Sequence, residues 1–218
     1  MDIKICGIST EDALDAVVEG GASHAGFIFF EKSPRNVSVN RAAILANKAR
    51  GHVKTVAVTV DASDAVLDAI VDVMRPDMLQ CHGGELPARI AQLKARFDLP
   101  VIKAFSIRSA EDFDRIDPYE GIADLFLFDA KPPAGSQLPG GNGVSFDWSL
   151  MDRLDRDLPY MLSGGIGAAN VEFAVRRVRP PGLDVSSGVE SAPGVKDPAL
   201  VREFLARVRK LESGPDMH

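Results

Sequence analysis

Two short segments of the chain have the composition of anion cradles. Leu162-Ser163-Gly164-Gly165-Ile166 and Val185-Ser186-Ser187-Gly188-Val189 each set serine against glycine directly after an apolar run. Small residues let backbone N–H groups approach an anion, and a helix starting beyond such a turn adds its dipole. Either segment alone is also compatible with a plain tight turn. Four other side chains could act on a ligand held there. Cys6, followed at once by Gly7, is a base, a nucleophile or a metal ligand if it ionises, and a small buried hydrophobe if it does not. Lys4 lies two residues earlier, on the same face of a strand, where its charge would help lower the thiol pKa. Asp129 follows Leu125–Phe128 and precedes a long connection to Phe146 containing Pro132-Pro133 and Gly140-Gly141-Asn142-Gly143. Beside phenylalanines and under such a loop, which could close as a lid, its carboxyl could donate a proton; a turn or helix-cap aspartate is the plain alternative. Arg35 follows Pro34, has only Glu31 as an acidic neighbour in its loop, and could fork onto a carboxylate or simply be solvated. Asp184 falls in the apolar run before the second cradle. The histidines His24, His52, His82 and His218 are scattered without paired ligand spacing, so no metal is expected.

These residues need a frame that brings them together. Apolar runs rich in Val, Ile and Phe recur at Ile3–Cys6, Ala25–Phe29, Thr55–Val60, Met78–Gln80, Val101–Phe105, Leu125–Phe128, Tyr160–Leu162 and Leu183–Val185. They are apolar on both faces, as parallel strands covered by helices must be. Helix starts lie between them: Ser9-Thr10-Glu11-Asp12 is a hydroxyl cap ahead of acids, Ser63 can cap a helix through Met74, and Asp197-Pro198 opens Ala199–Lys210. Eight strand–helix repeats of about 27 residues predict an α/β fold, a single-domain (β/α)8 TIM barrel over residues 1–211, with 212–218 a disordered tail. An open doubly wound sheet is the alternative, but the unusual residues follow nearly every strand, where a barrel's active-site loops lie. Cys6, the Ser33-Pro34-Arg35 loop, Gln80 with His82, Asp129 and both cradles then meet at one mouth. Cys81 is read as structural. Gly165-Ile166-Gly167-Ala168-Ala169-Asn170 imitates a dinucleotide fingerprint but lacks its third glycine and a following βαβ unit.

Composition narrows the classes. The 218 residues carry 25 Lys plus Arg against 31 Asp plus Glu, a formal charge of −6, which gives no global attraction to nucleic acid or anionic membrane. Two cysteines cannot make a disulfide framework, no apolar run reaches a spanning length, and Met1-Asp2-Ile3-Lys4 does not open a secretory signal. A cytoplasmic protein is expected.

Taken in order, Lys4-Ile5-Cys6-Gly7-Ile8, Gly26-Phe27 through Ser33-Pro34-Arg35, Gln80-Cys81-His82-Gly83, Phe128-Asp129-Ala130, Gly140-Gly141-Asn142-Gly143 with Phe146-Asp147-Trp148, Leu162-Ser163-Gly164-Gly165, Asp184 through Glu190 and Pro193 through Asp197 resemble the phosphoribosylanthranilate isomerases of tryptophan synthesis. The resemblance spans residues 3 to 197. It implies a cofactor-free and metal-free Amadori rearrangement of a phosphosugar-anthranilate substrate. It further implies Asp129 as general acid on the furanose ring oxygen, Cys6 as general base at C2′, and Arg35 as clamp for the anthranilate carboxylate. Asp184 corresponds to the family's aspartate on the eighth strand, and Gly164, Gly165, Ser187 and Gly188 lie where amides would hold the phosphate. Neither nucleic acid nor membrane is an implied partner, and the sequence does not choose between monomer and homodimer. The related aminoaldose isomerase of histidine synthesis, which pairs two aspartates, and a non-catalytic phospholigand-binding barrel are the rival readings. Cys6 argues against the first, and an intact acid and base against the second.

Overall fold

The computed structural model describes residues 1–130, 145, 147–154 and 158–213. Eight parallel strands close on themselves: β1 (Asp2–Cys6), β2 (His24–Phe29), β3 (Lys54–Thr59), β4 (Met78–Cys81), β5 (Val101–Ile107), β6 (Leu125–Ala130), β7 (Tyr160–Leu162) and β8 (Gly182–Val185). Closure comes from β8 pairing back onto β1, with Lys4 opposite Asp184. All eight strands expected from the apolar runs are present, and the (β/α)8 barrel stands.

The pleat sorts residues into two apolar layers. Ile3, Ile5, Phe27, Phe126, Phe128, Leu183 and Val185 face outward and pack under the helices. Cys6, Val56, Val58, Met78, Ile102, Ala104 and Leu127 face inward and fill the barrel. Each fully buried side chain of Leu or Phe size contributes about 1.5–3 kcal/mol, so the double layer holds the strand ends rigidly. Parity along a strand decides which chemistry reaches the interior: Lys4 and Cys6 point in, and so does Asp184 between Leu183 and Val185.

Helices α1 (Glu11–Glu19), α2 (Val39–Ala49), α3 (Asp64–Met74) and α4 (Pro87–Phe97) alternate with the first strands. Thr10 caps α1 through the Ala13 N–H, and Ser38 caps α2 through the Arg41 N–H. Ser63 precedes α3 as expected but makes no side-chain cap bond. The eightfold repeat of helices is incomplete. Between β5 and β6 the chain forms 3₁₀ turns at Ala110–Arg115 and Asp117–Tyr119, and before β7 another at Trp148–Arg153. Phe113 and Ile116 enter the core three residues apart, a 3₁₀ spacing, and Pro118 denies the segment a backbone donor. After β7 comes α5 (Val171–Val178). A hairpin not anticipated from sequence, β9 (Glu190–Ala192) with β10 (Val195–Lys196), precedes α6 (Pro198–Glu212). Asp197 caps α6 through the N–H groups of Ala199 and Leu200. That helix enters the expected tail as far as Glu212, whose carboxylate binds the N-terminal ammonium at 2.7 Å; residues 214–218 lie outside those described. Among the described residues no helix is long and apolar enough to cross a membrane.

Candidate active site

A cavity opens at the C-terminal ends of the barrel strands. Cys6, Arg35, Asp129, Gly164, Gly165, Asp184 and Ser187 all line it, although the sequence separates the first from the last by most of the chain. Gly188 does not line the cavity. It pairs with Gly167 instead, and a Cβ on it would lie 2.0 Å from the Ile166 carbonyl oxygen, so its lack of a side chain serves loop-on-loop packing.

The two cradles take distinct shapes. Gly164 and Gly165 both have positive φ, at 89° and 64°, and a Cβ on Gly164 would meet the Ala130 nitrogen at 2.6 Å. Two successive positive φ values are a backbone conformation that favours glycine, and they make a tight turn at the mouth. The apparent dinucleotide motif resolves into a local turn: Asn170 donates to the Gly165 carbonyl and accepts from the Gly167 N–H, both at 2.9 Å.

Below the cradles lies an ion pair. Lys4 Nζ donates to Asp184 Oδ1 at 2.8 Å, and Ser163 Oγ donates to Asp184 Oδ2 at 3.0 Å. Burial alone would push the Lys4 pKa down, but Asp184 and Cys6 beside it hold it above its ordinary value. Lys4 acts on Cys6 in the direction expected from sequence, yet it does not win. Burial pushes the thiol up, Asp184 adds to the rise, and the opposing pull of Lys4 and Lys196 is smaller. Cys6 therefore rests as a thiol: in an enclosed barrel the cost of desolvating a thiolate exceeds what the neighbouring ammonium groups return.

Asp129 ends in two contacts. Its Oδ1 accepts from the Ala130 N–H at 2.8 Å, and its Oδ2 lies 3.5 Å from His82 Nε2. Gln80 holds the other ring nitrogen, with its Nε2 2.8 Å from His82 Nδ1. Sequence reading put Gln80 and His82 at the mouth without assigning either a task; their spacing of two residues was the available signal. The connection expected to act as a lid, with its glycines at 140–143 and Phe146, lies outside the described residues except at Ser145.

Arg35 is buried, at 4% exposure, and its fork is engaged by an acid 155 residues away: Nε and Nη2 reach Glu190 at 2.7 and 2.9 Å. The surface-arginine alternative falls away.

Residues 3–207 match the family model for N-(5′-phosphoribosyl)anthranilate (PRA) isomerase. The chain belongs to the phosphoribosylanthranilate isomerase family. An N-(5′-phosphoribosyl)anthranilate isomerase from Mesorhizobium japonicum is 61% identical over 209 residues, covering 96% of this chain and 95% of its own. Among solved structures, the phosphoribosyl anthranilate isomerase of Thermus thermophilus superposes with a TM-score of 0.85 at 31% identity, covering 97% of this chain and 100% of that one. Another isomerase of the family, solved in complex with reduced 1-(o-carboxyphenylamino)-1-deoxyribulose 5-phosphate, has a TM-score of 0.81 at 30% identity, covering 96% and 99%. A family isomerase must hold a phosphate at one end of its substrate and a carboxylate at the other. Gly164, Gly165, Ser187 and Arg35 line this cavity together with Asp129 and Cys6.

Proposed function

We propose that this chain converts N-(5′-phosphoribosyl)anthranilate to 1-(2-carboxyphenylamino)-1-deoxyribulose 5-phosphate with Asp129 as general acid and Cys6 as general base. The observation that carries the assignment is that Cys6 and Asp129, which end β1 and fall near the end of β6, open into one cavity together with both glycine–serine loops. The acid's proton goes to the furanose ring oxygen, the C1′–O bond breaks, and the nitrogen lone pair forms the C1′=N bond of a protonated Schiff base. The Cys6 sulfur then takes the C2′ proton, and its electrons form the C1′=C2′ bond of the enolamine. Tautomerisation returns a proton to C1′ and leaves a ketone at C2′. Hydrogen and electrons move only within the substrate, so the balance requires no redox cofactor. Each proton transfer contributes about 10²–10⁴-fold, and the grips at the two ends hold the sugar in reacting geometry.

The phosphate is assigned to the backbone of Gly164, Gly165 and Ser187, and the anthranilate carboxylate to Arg35, with Asp184 orienting the floor through Lys4. Every residue used comes from one chain, so the reading holds for a monomer or a homodimer. A cytoplasmic setting suits it, since both cysteines are free thiols.

The test is the decay of phosphoribosylanthranilate fluorescence, with substrate made in situ, for the wild type beside Cys6→Ala and Asp129→Asn. Rapid decay is expected in the wild type, with kcat lower by roughly 10²–10⁴-fold in each variant while both remain folded. Near-normal turnover by Cys6→Ala would move the base to another group.

A further inference from the structure

The mouth holds a second charge cluster that the acid and base do not account for. Glu190, opening β9, accepts from Arg35 Nε and Nη2 at 2.7 and 2.9 Å and from the Gly194 N–H at 3.2 Å. Lys196 on β10 donates to Oε1 of the same carboxylate. The Glu190 and Lys196 side chains are 4% and 1% exposed. Burying two cations and an acid is costly, and a purely structural hairpin could use apolar residues instead. The cluster also lies against the base. A Cβ on Gly7, the residue after Cys6, would be 2.8 Å from Arg35 Cδ and 3.2 Å from Lys196 Nζ.

We propose that Lys196, pinned by Glu190, is a positioning residue that stabilises the Cys6 thiolate, while the same carboxylate aims Arg35 into the mouth, so that one hairpin sets both the base and the clamp. This rests on the reading of Cys6 as base. The charged groups that act on Cys6 are Lys4 from its own strand, Asp184 from β8 and Lys196 from β10; on β2 a Cβ at Gly26 would lie 2.9 Å from the sulfur, and His24, opposite Lys4, interacts with Lys4 and Asp184. Lys4 divides its charge between the thiol and Asp184, and Asp184 itself disfavours the thiolate. Lys196 divides its carboxylate with Arg35, so less of its charge is cancelled at the sulfur. The effect on each partner has the matching sign: burial pushes the Lys196 ammonium down, and Glu190 and Cys6 both oppose that fall.

The test follows the thiolate directly, by ultraviolet absorbance across the neutral to alkaline range, in a Cys81→Ala background where Cys6 is the one thiol. Lys196→Met is expected to raise the Cys6 midpoint by about one unit, about tenfold less thiolate at each pH below it. In that variant kcat should drop about tenfold with KM changed less than about threefold. Lys196→Arg, which keeps the charge, restores both. Glu190→Gln, which unpins Arg35, is expected to raise KM about tenfold with a smaller change in kcat. If Lys196→Met does not fold, Lys196→Gln, which can still hydrogen-bond Glu190, is read in the same way. An unmoved midpoint in a folded Lys196 variant overturns the thiolate role, and an unchanged KM in Glu190→Gln overturns the aiming of Arg35. The titration needs no turnover, so its failure is distinguishable from normal activity in Cys6→Ala, which would overturn the base reading instead.

Discussion

The surroundings of the two cysteines invite comparison, because the residues share so much. Each ends a parallel strand, Cys6 on β1 and Cys81 on β4, each is a free thiol, and each is buried. Burial pushes both thiols up, Cys81 to about 12. They differ in the side of the pleat. Cys6 faces inward and lines the cavity with Lys4, Asp184 and Lys196 acting on it. Cys81 faces outward beside Leu79, Phe105 and Leu93, and after burial its strongest neighbour is Glu85, an acid that disfavours the thiolate further. Lys103, which might offset that acid, is committed to it at 3.0 Å and to the Gly83 carbonyl at 2.7 Å. Residue type and position at a strand end thus do not by themselves suit a thiol to the proposed role of base. Inward parity, access to the cavity and nearby cations distinguish Cys6.

Exchanging sulfur for oxygen should separate the two sites most widely. Cys6→Ser places a hydroxyl that does not ionise in this range at the position proposed for the base, and kcat is expected to fall roughly 10²–10⁴-fold. Cys81→Ser should leave kcat within about twofold, because Cys81 packs in the outer apolar layer and does not line the cavity. Parallel single-turnover measurements on the two variants check this, and equal losses would erase the distinction.

The next effect is the pH dependence. With the Cys6 pKa raised, the thiolate proposed as the base is the minority form at neutral pH, and its fraction increases with pH until the pKa is passed. The base limb of kcat/KM should therefore climb about tenfold per unit through the neutral and mildly alkaline range, and level off only above the ordinary thiol pKa. A profile already flat at neutral pH would mean that the free enzyme holds Cys6 as thiolate, contrary to the dominance of burial described for it. The Cys81→Ala variant should trace the same curve, since a thiol pushed to about 12 titrates outside it.

How legible each part was in the sequence follows from whether its determinants are local. The strands are set by runs such as Leu125–Phe128, apolar on both faces, and α6 by Asp197-Pro198; both signals sit within a few residues, and both elements formed as read. Cys6, Asp129, Asp184 and the Gly164-Gly165 turn were recoverable because a barrel turns strand-end position into a shared mouth. The 3₁₀ turns of Ala110–Tyr119, in place of a repeat helix, were not legible because apolar residues spaced by three fit a period of 3.6 as well. The packing of Gly188 was hidden for a different reason. A glycine beside serines looks the same whether it admits a ligand or a neighbouring loop, and only the Ile166 carbonyl shows which. The Arg35–Glu190–Lys196 cluster left no trace, since a pairing across 155 residues has no local signature.

The smallest expected difference concerns Cys81→Ala and stability. Cys81 is 1% exposed in the outer apolar layer, so trading its sulfur for hydrogen removes little volume and no hydrogen bond made by the side chain. A loss of about 1 kcal/mol follows, which in a chain of this size lowers Tm by about 2–4 °C in a thermal melt. The value of so modest a measurement lies in what should not accompany it. His82 is the next residue, and its ring stands 3.5 Å from the carboxyl of the acid. Were β4 to relax into the small void, the histidine would shift against Asp129 and kcat would fall with stability. The Glu85 carboxylate opposes that motion: it accepts from the N–H groups of Gly83 and Asp61 and from Lys103, and so clamps the turn that follows His82 independently of the sulfur. A Tm shift without a kcat change would show that the loop, and not the thiol, fixes the histidine, while a joint loss would tie Cys81 to the mouth after all.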